Sequence, residues 1–442
     1  MTLDMTRGKP AGLLIRFALP MIFSSLLQQL YTMCDSMIVG RLLGTNAFAA
    51  VGSASYLHWF PLSMLLGATA GFGVALSQRF GAKDEEGLRS CFAASIVLTM
   101  VIGGVFTLLG TTLLEPLLLL VDTPRELMPH SISYIRVLWA GLLLTAALNI
   151  LSAALRATGD SRTPFIALII STIINIALDY VLIAGAGMGA DGAALATVLS
   201  QAAAAAWCLR AVARMHLLPA RRHYRLQRAQ VLELLRLGMP QLLSQGVIAT
   251  GEMAVLSAIN SFGVAFVTGN TAARRYFSLF NVVGGALESA VGTFVGQNWG
   301  ANERKRAAVG TRTAVAMGLS SSVTIAALIM LGAPALIRLF IPDGGMDALR
   351  IGIDALRAEV LFLPALYLLC EHRASIQGMG NAFIPMVSGF LELALRIAAA
   401  QVMPALFGSA GLYFTDAVTW TVTAVMLIIS YRVIIRRSLR GC

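Results

Sequence analysis

Apolar positions run along this chain in stretches too long for the helices of a water-soluble core. Twelve such runs lie at approximately 12–39, 48–77, 90–114, 131–155, 164–184, 192–212, 232–260, 265–296, 308–331, 352–372, 385–406 and 412–434. Each approaches or exceeds the about 20 helical residues needed to cross a hydrocarbon layer ~30 Å thick. Glycine, proline and charged residues gather between the runs. The pattern predicts an all-α integral membrane protein with twelve transmembrane helices. The first run carries Arg16, Pro20 and Asp35 and ends without a small-residue cleavage site, so it reads as a retained span.

The two halves of the chain repeat each other. RFALP at Arg16–Pro20 returns as RLGMP at Arg236–Pro240, SQRFGA returns as GQNWGA with Gln78 against Gln297, and RATGDSRTP returns as QGMGNAFIP with Gly159 against Gly380. Three anchors in one order and at one spacing mark an internal duplication. The offset covers six helices, an even number, so both halves enter the membrane in the same direction and form pseudo-symmetric six-helix lobes about an axis along the membrane normal. The lobes are expected at residues 1–212 and 232–442. Residues 213–231, mostly ARMHLLPARRHYRLQRAQ, form a basic cytoplasmic linker.

Composition agrees with this reading. Only 12% of the 442 residues are charged and 57% are hydrophobic, against roughly 25% charged in a soluble domain; mean hydropathy is +0.77. The net charge of +11 would suggest nucleic acid in a soluble chain, but topology accounts for it better. Placing alternate loops on opposite sides puts 24 Lys and Arg on one face and only Arg41, Arg125, Arg136, Arg338, Arg350 and Arg357 on the other, with Arg274, Arg275 and Arg396 inside spans. By the positive-inside rule both termini are expected in the cytoplasm. Five cysteines, none in a CxxC pair, imply neither a disulfide framework nor a metal knuckle.

GMGADG, Gly187–Gly192, matches a dinucleotide fingerprint letter for letter, yet it joins two membrane-length runs and has no acid about 20 residues on, so a short turn is expected. No phosphate loop, HExxH or GxSxG is present, which leaves ATP-driven pumping and hydrolytic chemistry without support. Acids inside spans carry more information. A charge at a helix centre costs about 2.5–3.5 kcal/mol on insertion scales, so one that persists faces a partner, a cavity or an ion path. Asp35, Asp179, Glu252, Glu288, Glu371, Glu392 and Asp416 are of this kind. Glu392 and Arg396 share a helix face four residues apart and are expected to pair; Glu288 has Arg274 or Arg275 as candidate partners, and Glu371 has Arg373. Glu252, Asp35 and Asp179 have no base nearby on their own helices. Around Asp179 stand neutral oxygens: Asn175 one turn earlier, with Asn149 and Thr197 on adjoining spans. Two carboxyls among amide and hydroxyl oxygens suit a hard cation such as Na⁺, at Asp35, Asp179 and Asn175, or a pair that binds a proton. Pro20 and its counterpart Pro240 lie inside spans, where a missing donor bends a helix.

ALPMIFSSLLQQLYTMCDSMIVGRLLG, the paired SQRFGA and GQNWGA, and LRATGDSRTP with IQGMGNAFIP, set in two six-helix lobes, resemble the multidrug and toxic compound extrusion (MATE) family over nearly the whole chain. The resemblance implies a V-shaped pair of lobes around a central cavity, no enzymatic activity and no cofactor. It also implies export of small organic, often cationic, compounds in exchange for H⁺ or Na⁺. Members of the DinF-like type carry an amino-lobe cation site that maps onto Asp35, Asn149, Asn175, Asp179 and Thr197, with Tyr31 in the cavity and Pro20 where the first helix bends. The carboxy lobe departs from NorM-type members: Glu252 lies twelve residues after Pro240 rather than eight, and Leu366 stands where those members have an aspartate. The coupling site is therefore expected in the amino lobe. A monomer in the cell membrane, with lipid as its surroundings and no nucleic-acid partner, is the implied setting. The alternative function is a flippase or exporter of a lipid-linked or anionic metabolite, kept open by Arg274 and Arg275.

Overall fold

A computed structural model describes residues 2–120, 123–341 and 345–440. Among these residues there is no strand. Helices α1 (Pro10–Gly44) and α2 (Ala47–Gly81) are followed by α3 (Glu85–Thr112) and the short α4 (Leu114–Leu120). Next come α5 (Met128–Ala140), α6 (Leu142–Ala157), α7 (Arg162–Asp179) and α8 (Ala190–Arg214). After the linker stand α9 (Arg228–Asn260), α10 (Val264–Gly300), α11 (Arg304–Phe340), α12 (Met346–Leu361), α13 (Leu363–Gly378), α14 (Phe383–Phe407) and α15 (Thr415–Arg440).

Eight stretches among the described residues are long and apolar enough to cross a bilayer. One of them, Phe383–Arg440, contains both α14 and α15, and a further span is broken, with α5 and α6 bent by 47° at Gly141. With the seven-residue α4 set aside and α5–α6 and α12–α13 each counted as one broken span, the helices number twelve among the described residues. Their outer faces carry large apolar side chains that water would penalise, such as Leu331 at 84% and Leu339 at 77% exposure. Lipid removes that penalty.

The duplication is written into the backbone as well as the side chains. Left-handed residues recur at matching places: Gly44 (φ 84°) with Gly263 (φ 85°), Lys83 (φ 58°) with Asn302 (φ 61°), Gly159 (φ 83°) with Gly380 (φ 86°), and Gly187 (φ 69°) with Gly408 (φ 63°). These are the chain's corners, where the reversal of direction needs a positive φ that costs glycine little. The break between α5 and α6 at Gly141 likewise corresponds to that between α12 and α13 at Phe362. Gly187 lies in the turn before α8, whose first helical residue is Ala190, so GMGADG is a connection between spans.

By their contacts the residues form two compact units: one of Met1–Leu3 with Phe23–Leu242, the other of Asp4–Ile22 with Leu243–Cys442. The boundaries thus fall inside α1 and α9, near the paired prolines Pro20 and Pro240, rather than in the basic linker. In the first unit the start of α9 packs tightly on α2, where Gly71 faces the backbone of Leu237 and Gly238 with no room for a β-carbon. In the second unit Met5 is fully buried. Its N–H donates to Gln297 Oε1 (2.8 Å), and its carbonyl accepts from Asn298 Nδ2 and Arg306 Nη2 (both 3.1 Å). Gln297 belongs to the repeated GQNWGA, which here holds the start of the chain.

Candidate functional site

In the first unit, Asp35 on α1 and Asp179 at the end of α7 come within hydrogen-bonding reach of each other. Asp179 and Asn175 are completely buried and Asp35 is half-buried. The backbone explains the placing of Asp179: α7 passes directly into a π-helical turn, Tyr180–Gly185, so the acid sits where the helix widens. Such turns are rare and concentrate at functional sites.

Thr197 on α8 gathers the neutral groups. The Tyr31 hydroxyl is 3.3 Å from Thr197 Oγ1, and Asn175 Nδ2 donates to the same oxygen at 3.5 Å. With the Asn175 amide turned over, its nitrogen donates to Asp179 Oδ2 and its oxygen accepts from the Thr197 N–H, both at 3.3 Å. The second orientation satisfies both ends of the amide and is the chemically consistent one. One oxygen of each acid, Asp35 Oδ1 and Asp179 Oδ1, is buried without a hydrogen-bond partner among the described residues. Buried polar atoms are normally paired, so two orphan carboxyl oxygens on adjoining acids mark a place for a small positive guest. Tyr134 on α5 lies near enough to interact electrostatically with Asp35, Tyr31 and Asp179. It did not stand out in the sequence because a tyrosine in an apolar run has no distinguishing pattern.

Asp35, Asp179, Asn175, Thr197 and Tyr31 are thus brought together. Asn149 on α6 is half-buried and makes no hydrogen bond to them. Pro20 lies about four helical turns before Asp35 on α1. The side chain of Glu252 lies outside the described residues.

The second unit corrects three expected ion pairs. Glu392 pairs with Arg373 of α13 rather than with Arg396, and Arg396 Nε instead donates to Asp416 Oδ1 of α15 (3.0 Å). Residues four apart on one helix gain only a few tenths of a kcal/mol by pairing, so buried partners on facing helices prevail. Glu288 has Cys370 and Arg373 as its neighbours rather than Arg274 or Arg275; Arg274 pairs with Asp416 at 3.2 Å, and Arg275 is exposed. Glu371, expected beside Arg373, has both carboxyl oxygens buried without a partner among the described residues, and Gly318 leaves the space it occupies. Glu359 on α12, buried to 7% exposure, was not singled out because it lies beside Arg357 at the edge of an apolar run.

A family model, MatE, matches residues 20–181 and again 240–402, each half of the repeat once. The chain belongs to the MatE family. Among its MatE relatives it is 31% identical over 365 residues to a probable multidrug resistance protein, YpnP, of Bacillus subtilis, covering 82% of this chain and 81% of that one. It is 27% identical over 405 residues to a probable multidrug resistance protein, NorM, of Thermotoga maritima, covering 88% and 85%. A solved structure of a multidrug resistance MATE transporter of the MOP superfamily, in an outward-facing conformation, superposes with a TM-score of 0.91 at 25% identity over 99% of both chains. The all-α, twelve-helix membrane architecture is that of this MatE fold.

Proposed function

We propose that the protein is a secondary active exporter of small organic, mainly cationic, compounds, driven by H⁺ or Na⁺ taken up at the Asp35–Asp179 pair. The observation that carries this reading is the pair itself: two adjoining acids inside membrane spans, each with a buried oxygen that has no partner, and with no basic side chain bonded to either, among the described residues. Two negative charges so placed repel each other and are poorly solvated. A proton shared between them, or a Na⁺ also held by oxygens of Asn175, Thr197 or Tyr31, relieves both costs. The names of the relatives support the choice of cargo.

Exchange needs only that the coupling ion and the exported compound stabilise different conformational states, so they need not meet at one residue. Pro20, on the same helix as Asp35, supplies a missing backbone donor at which α1 can bend in response. The cell membrane is the site of action, the chain works as a monomer, and both termini lie in the cytoplasm. Lobes of residues 1–212 and 232–442, joined by the basic linker, remain the working division of the repeat.

The test is uptake of ethidium into proteoliposomes under an imposed pH or Na⁺ gradient. Flux with one of the two gradients is expected, and its loss in Asp35→Asn and Asp179→Asn locates the coupling. No flux with either gradient would sink the antiport reading.

A further inference from the structure

The second unit contains a charged cavity with no part in the coupling just described. It has a volume of about 70 Å³ and is lined by Arg274 and Phe277 of α10, Glu359 of α12, Arg396 of α14, and Asp416 and Trp420 of α15. Asp416 bridges the two guanidinium groups, accepting from Arg274 Nη2 through one oxygen and from Arg396 Nε through the other. The bridge leaves donors unused. Arg396 is only 7% exposed, yet its Nη1 has no partner among the described residues, and neither has Arg274 Nε; Glu359 Oε2 of the same lining is also unpartnered among them. Phe277 and Trp420 stack on each other at 5.5 Å, 10° from parallel, and supply an aromatic wall.

A cluster that served only to tie α10, α14 and α15 together would close around its ion pairs. Here a void stays open where two guanidinium groups have spare N–H donors, and buried donors are normally paired. Two positive charges face Asp416, so one remains, and Glu359, which lines the same cavity and feels Arg274, balances it. Guanidinium groups are the side chains best matched to carboxylate and phosphate oxygens, which they bind through parallel hydrogen bonds. The volume admits one such group, not a whole drug-sized molecule.

We propose that this cavity is an anion-recognition subsite, in which Arg274 and Arg396 hold the carboxylate or phosphate of a small organic molecule against the aromatic wall of Phe277 and Trp420. Glu359 is the competitor for the same positive charge: an entering anion must either displace its influence or meet it in neutral form. The cargo range thereby extends from cations to zwitterions and organic anions. This extension rests on the exporter reading, but the binding step does not.

The experiment is calorimetric titration of the purified full-length protein with benzoate, with inorganic phosphate, and with benzylammonium as the cationic control. Saturable binding of benzoate or phosphate is expected, the tighter of the two naming carboxylate or phosphate as the preferred group. Arg396→Gln and Arg274→Gln should each weaken it at least tenfold. Glu359→Gln should tighten it severalfold, a gain that misfolding cannot produce. Absence of saturable binding by both anions, unchanged affinity in the arginine variants, weaker binding in Glu359→Gln, or benzylammonium bound as tightly as benzoate would each overturn the proposal. Binding is read at equilibrium without a gradient, so its failure leaves the coupling reading standing, and a failed flux assay leaves the cavity's chemistry standing.

Discussion

Replacing Asp179 by asparagine keeps the shape of the side chain and removes one of two adjoining charges. The carboxyl groups are within hydrogen-bonding reach, so a cation held between them lies about 4 Å or less from each charge centre. At the effective dielectric of about 20 that suits protein sites, one such attraction is worth about 4 kcal/mol. Asp35 is half-buried, so water reaches the pair and screens both attractions; taking half of the Coulomb value leaves about 2 kcal/mol for either acid, or roughly 30-fold in affinity. The measurement is the half-saturating concentration of the coupling ion, H⁺ or Na⁺, for ethidium uptake in proteoliposomes made with wild type, Asp179→Asn and Asp35→Asn. Both variants should need at least tenfold more ion, and Asp179→Glu, which keeps the charge, should recover part of the loss. A shift below about twofold in both asparagine variants would mean that the pair does not bind the coupling ion.

Three further outcomes follow from other contacts. Gly318→Ala puts a methyl group where Glu371 Oε1 sits, so the detergent-solubilised protein should melt several degrees lower, with part of the loss recovered in Gly318→Ala/Glu371→Ala. A double-mutant cycle should find a coupling of about 1 kcal/mol or more between Glu392 and Arg373 and a smaller one between Glu392 and Arg396; the reverse order would contradict the pairing described. Asp84 accepts from the Gly87 N–H (2.9 Å) at the start of α3, so Asp84→Ala should cost about 1 kcal/mol, read as a lower melting temperature without loss of ethidium transport.

Much of the architecture could be read from residue order because the membrane imposes a crude rule, about 20 apolar residues per crossing, and the duplication applies it twice. Asp35 and Asp179 were legible for a related reason: an acid without a nearby base is conspicuous in an apolar run. Pairing between distant helices left no such trace. Arg396 stands four residues from Glu392, yet burial turned each toward another helix, to Asp416 and Arg373. The same limit hid Glu359, whose significance depends on Arg274 and Asp416 arriving from α10 and α15. The bend at Gly141 was hidden as well, because hydropathy counts residues across a break without detecting it.

The π-helical turn after Asp179 has a counterpart. Gly159 and Gly187 match Gly380 and Gly408 at the same offset, which places Ile183, inside that turn, opposite Pro404, inside α14. Both copies of this helix therefore depart from regular hydrogen bonding at the same height, one by winding wider and the other by lacking a donor. After a gene doubles, its two copies can keep a weak point in common while each finds its own way of making it. Only the first copy set an acid against that weak point, so an inherited flaw in one helix is open to becoming a place where an ion is felt.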